Sequence, residues 1–166
     1  EDAEIFNSSD AIDSARNSFR MDLFESRVDD KAVKDISRRI YHDCEDEADE
    51  YMKKHGDGFV GRGYIRAWKG ERNECFFNGV KEFVVINISY NNSNNKTNCL
   101  PEVDDVLEEG ETNCQGISIV FVSLVRSAGY DAQFVLQDGH VCAVYRYGNT
   151  MDFFYCKRDE EILDVG

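Results

Sequence analysis

The chain has 166 residues, of which 42% are hydrophobic and 12% aromatic, enough to bury one core without metal or disulfide staples. Its net charge of -14 argues against a nucleic-acid backbone or an anionic membrane as partner, because both would be repelled. No apolar run approaches the ~20 residues of a membrane-crossing helix, so no membrane insertion is expected.

The first residue is Glu1 rather than methionine, so a processed chain is expected, from which any signal peptide has gone. The N-terminal third reads as helical. Ser9 or Asp10 caps a segment with Ile12, Ala15, Phe19 and Leu23 on one face. A second helix starts near Asp30, buries Val33, Ile36, Ile40, Cys44 and Ala48, and ends by Gly56. Glycines at 56, 58, 61, 63, 70 and 79 then break the region up to residue 80 into turns. The β-branched run "EFVVINISY" reads as a strand and "NNSNNKTN" as an exposed loop. Pro101 opens a short acidic helix, "PEVDDVLEEG", that stops at Gly110. With no internal repeat and no linker, residues 1–166 are expected to form a single domain, with 1–102 its helical and mixed N-terminal part.

From Ile117 the apolar positions Ile117, Val120, Phe121, Leu124, Val125 and Ala128 keep a helical rhythm. Ile119 and Val122 are apolar too, so this helix is covered on nearly every side and reads as the central one. A buried strand is the rival, but the run is too long, and Gly129 stands where a C-terminal cap belongs. Cys114 falls at the first turn, with Thr112 or Asn113 as cap. Free amides and the positive end of the helix dipole favour a thiolate at such a position and offer donors to an oxyanion. The plainer alternative is a small apolar residue filling a gap.

"YDAQFVL", "HVCAVYR" and "TMDFFYC" read as three successive strands, the first two joined by the turn "QDG". In the middle strand His140, Cys142 and Val144 share one face, and Val141, Ala143 and Tyr145 the other. A base needs an orienting acid. A two-residue loop at Gly148-Asn149 would set Asp152 opposite Tyr145, on the wrong face. A three-residue loop, Arg146-Tyr147-Gly148, makes Asp152 a diagonal neighbour of His140, and this register is the one expected. Asp159 is the fallback.

Six cysteines show no C-x-x-C pair, and without Cys114 the other five allow at most two disulfides. Asn7, Asn87, Asn91 and Asn95 begin N-x-S/T triplets, which lean the compartment toward extracytoplasmic. Cys114, His140, Cys142 and Asp152 also have ligand chemistry, so a zinc site is the metal-binding alternative.

"DDVLEEGETNCQG", "SLVRSAGYDAQFV" and "GHVCAVYRYGNTMDFF" together resemble the transglutaminase-like superfamily of papain-like cysteine enzymes. In that family a cysteine starts the central helix, a histidine lies on the second following strand and an aspartate on the third. The resemblance covers about residues 103–156 and implies an α+β fold, with N-terminal helices and a central helix packed on an antiparallel sheet. It implies Cys114, His140 and Asp152 as catalytic residues, acting without metal or organic cofactor on a protein or peptide amide. Hydrolysis through a thioester is the expected reaction. Cross-linking, or a binding module without catalysis, are the alternatives. The sequence departs from the pattern in having Cys142 two positions after the histidine and Phe153, not proline, after Asp152. The oxyanion side chain is not placed; Trp68 or an upstream tyrosine are the choices.

Overall fold

Asp30 caps the helix that begins at Lys31. Its carboxylate accepts from the amides of Ala32 (2.9 Å) and Val33 (3.3 Å), two donors that no helical carbonyl can reach. The computed structural model describes residues 30–91, 102–137, 140–156 and 163–164. The helix expected around Ile12 to Leu23 lies outside them, as do Pro101 and residues 92–98 of the expected loop.

Helix α1 (Lys31–His55) runs as anticipated, burying Val33, Cys44 and Ala48, with Lys53, Lys54 and His55 in its last turn facing the negative end of the dipole. The next segment departs from the expectation. The turns expected at Gly56, Gly58 and Gly61 are present, but the rest of the stretch read as glycine-broken turns, and most of the stretch read as a strand, form one helix, α2 (Arg62–Asn87). Only Ser89–Tyr90 is extended, as β1. The reason is tertiary. Phe76, Phe77, Val80 and Val84 recur at helical spacing and are buried, whereas the β-branched Val85 and Ile86 that suggested a strand are exposed. Gly79 serves the packing directly, since a Cβ there would lie 2.8 Å from Ile40 Cγ2 across the helix pair. A disulfide between Cys44 and Cys75 fastens α1 to α2 (Cα–Cα 5.5 Å).

Helix α3 (Val103–Glu109) ends at Gly110, whose φ of 71° is the left-handed cap that glycine accepts readily. Strand β2 (Glu111–Thr112) then pairs in parallel with β1, and helix α4 (Cys114–Ser127) follows. Every residue of α4 from Gly116 to Val125 is buried, as expected of a central helix. Ser37 of α1 donates to the Leu124 carbonyl at 2.8 Å, binding the two helices through a buried hydrogen bond.

Strands β3 (Asp131–Gln137), β4 (His140–Tyr147), β5 (Thr150–Phe154) and β6 (Leu163–Asp164) form one sheet in the order β5-β4-β3-β6, each neighbour antiparallel. Val141, Ala143 and Tyr145 face α4, and Phe121 of that helix stacks on Phe154 at 4.3 Å. Cys142 and Val144 lie on the far face with Val135 and Cys156, and Cys142 is disulfide-bonded to Cys156. The architecture is α+β: helices on one side of an antiparallel sheet, with α4 between them. Among the described residues no helix is long and apolar enough to cross a membrane.

The β4–β5 register corrects one expectation. Tyr147 pairs with Thr150 and Tyr145 with Asp152, so the loop is the two-residue Gly148-Asn149, not the three-residue one. Gly148 takes a positive φ of 56° while Asn149 does not, the pattern of a turn whose twist matches its strands. Asp152 therefore lies opposite Tyr145 and not diagonal to His140, because a one-residue slip exchanges the faces of a strand.

Candidate active site

Cys114 is the first residue of α4 and partly exposed at the edge of the core. Two local features fix it there. Ser89 and Asn91 donate to the carbonyls of Gly110 (2.8 Å) and Thr112 (2.7 Å), which anchors the preceding segment to the end of α2. Asn113 is the cap, and its side-chain oxygen accepts from the Gly116 amide at 3.1 Å. Gly116 packs on Thr112 so closely that a Cβ would lie 2.7 Å from that residue's own Cβ. The first helical amide bond runs from Ile117 to the Asn113 carbonyl. The amides of Cys114 and Gln115 precede it, outside the intrahelical ladder, at the positive end of the dipole.

His140 opens β4 and is 8% exposed. Ser118, one helical turn after Cys114 and so on the same side of α4, donates to the Val141 carbonyl at 3.1 Å. That bond ties the first turns of the helix to the residue next to His140, bringing Cys114 and His140 to the same end of the helix–sheet contact. Tyr155 belongs to the same cluster. Its ring lies 5.6 Å from the His140 ring and 6.3 Å from Tyr90. Its phenol is raised above the usual tyrosine range by burial, then by the charges of Tyr90 and Cys114.

The ring nitrogen Nε2 of His140 lies 2.6 Å from the carbonyl oxygen of Tyr155. A carbonyl can only accept, so Nε2 carries the hydrogen, and in the neutral ring Nδ1 is the basic nitrogen. Tyr155 is also the only non-glycine residue with positive φ (67°) among the described residues. Neither feature was legible in the sequence, where nothing distinguishes Tyr155 from the other tyrosines.

Asp152 is elsewhere. Its carboxylate accepts from the Tyr145 hydroxyl at 3.3 Å and from the amide of Phe153 at 2.8 Å. Asp159 lies outside the described residues. Trp68 is on α2, donating to Asp49 at 2.8 Å and stacked under Arg72, so it serves the α1–α2 contact. The zinc alternative loses a ligand, since the sulfur of Cys142 is bonded to Cys156 and offers no thiolate.

The Tyr145–Asp152 contact has a measurable consequence. Burial of Tyr145, which is 2% exposed, and secondarily the neighbouring Asp152 charge hold its phenol well above the ordinary range. The folded chain thus resists ionisation that the unfolded chain undergoes near pH ~10. This contribution to stability is complete below about pH 10 and is lost as pH rises beyond it toward the folded value. Urea midpoints are expected to fall above about pH 10, and Tyr145→Phe to flatten that fall. Both proteins should carry blocked Cys114, so that thiol–disulfide exchange does not intrude.

The family model of the transglutaminase-like superfamily matches residues 64–146, half of the chain. The protein belongs to the transglutaminase-like superfamily. Its members generally carry out cysteine-based acyl transfer or hydrolysis. The match begins in α2, well before the residues that carry the resemblance in sequence. It takes in Cys114 and His140 and ends before Asp152. No curated protein and no solved structure matches the chain.

Proposed function

We propose that this protein is a thiol enzyme acting at amide bonds of a protein or peptide, with Cys114 as nucleophile and His140 as its proton carrier. The observation that carries this is the state of the cysteines. Of the five described, Cys44, Cys75, Cys142 and Cys156 are paired, and Cys114 alone is free, at the helix terminus nearest His140. In the proposed step the Cys114 sulfur attacks the carbonyl carbon while His140 takes its proton. The Cys114 amide donates to the oxyanion, the C–N bond breaks, and the proton passes to the leaving amine. Water then cleaves the thioester, returning the thiol and releasing an acid. Hydrolysis is favoured over cross-linking because it needs no second binding site for an amine.

The two disulfides, Cys44–Cys75 and Cys142–Cys156, support an oxidising, extracytoplasmic setting. The net charge of -14 favours neutral or cationic substrate segments. In the oxidised protein at about pH 7, iodoacetamide is expected to modify Cys114 roughly tenfold faster than an ordinary exposed thiol such as glutathione. Peptide mapping locates the label and separates it from any on Cys99. A rate equal to that of glutathione would favour a binding module without catalysis.

A further inference from the structure

The sheet contains a conflict at the end of β5. Phe154 pairs with Ala143 and faces α4, where it stacks on Phe121. Strict alternation would turn Tyr155 outward and Cys156 back toward the helix. Yet Cys156 is bonded to Cys142, which lies on the far face with Val135 and Val144. The chain must therefore change faces within one residue between a buried aromatic anchor and a covalent one. Tyr155 makes that change by adopting φ 67°, as the extra residue of a β-bulge does. The same twist turns its carbonyl onto Nε2 of His140.

We propose that the main-chain carbonyl of Tyr155 is the group that positions His140, holding Nε2–H so that Nδ1 is presented to Cys114, with the Cys142–Cys156 disulfide fixing the carbonyl in place. Tyr155 is thus a positioning residue acting through its backbone, in the role for which Asp152 was the expectation. This rests on the reading of His140 as the partner of Cys114. A carbonyl and a carboxylate both fix the tautomer, but the carbonyl brings no full negative charge to the imidazolium. Side-chain identity at 155 should then matter less than backbone preference.

The test compares two variants of the full oxidised chain that both lose the aromatic ring. Tyr155→Gly accepts positive φ freely, whereas the β-branched Tyr155→Val resists it. Iodoacetamide alkylation of Cys114 is expected to stay within about twofold of the parent in Tyr155→Gly and to fall about tenfold in Tyr155→Val. Equal behaviour of the two variants would overturn the proposal, since the ring or neither feature would then be responsible. Independently of whether Tyr155→Val folds, nitrogen NMR of a Cys114→Ala protein reads the His140 ring at a pH where it is neutral. The Nε2–H tautomer is expected, and it should persist in Asp159→Asn. An Nδ1–H tautomer, or loss of Nε2–H on removing the Asp159 charge, would overturn the assignment. A parent Cys114 of ordinary reactivity would instead defeat the enzymatic reading, while the tautomer measurement still decides the role of Tyr155.

Discussion

Cys114→Ala is expected to lower hydrolysis of an amide substrate by about a thousandfold or more, roughly 4 kcal/mol of transition-state stabilisation. The argument is chemical. With the sulfur gone, no other described side chain at this helix terminus is a free thiol, because the remaining described cysteines are in disulfides. The oxyanion donors and binding surface would still give slow background turnover. Stability should change little, since Cys114 is only partly buried and alanine is a good first-turn residue. Activity measured beside a urea midpoint separates the two effects. Retention of more than about a tenth of the parent rate would remove Cys114 from the mechanism.

The second large effect is on stability. Phe121→Ala is expected to cost about 3–5 kcal/mol, because it empties the centre of α4 where the helix meets the sheet. Phe121 is fully buried, stacked on Phe154 at 4.3 Å and within 5.5 Å of Tyr145. Its removal also frees Phe154, the anchor that precedes Tyr155 in the chain, so alkylation of Cys114 should slow as well. The melting temperature is expected to drop by about 10 °C or more, and Phe121→Leu to drop it less. A shift worth less than about 1 kcal/mol would show that α4 is not the helix around which the core is built.

Much of this was legible in the chain itself. Helices α1 and α4 were predicted within a residue or two, since each has a continuous apolar rhythm and a recognisable cap: Asp30 before one, Asn113 before the other. The strand of His140, and the opposite faces of Cys142 and Ala143 on it, followed from alternation alone. Helix α2 is not legible locally, because its local signals conflict. Gly63, Gly70 and Gly79 suggest turns and "FVVI" suggests a strand, while the spacing of Phe76, Val80 and Val84 speaks for a helix. Burial against α1 and α4 outweighed both propensities.

The sequence by itself determined the cysteine at the start of an apolar helix, the histidine on a following strand, and the family to which that order belongs. These depend on local periodicity and spacing, which one chain carries along its length. The tertiary structure alone decided which group Nε2 of the histidine meets. Hairpin register shifts by a single residue at little local cost, yet each slip exchanges both faces of a strand. It also decided where Tyr155 points, because that follows from two distant anchors, Phe121 and Cys142, pulling its neighbours Phe154 and Cys156 to opposite sides of the sheet.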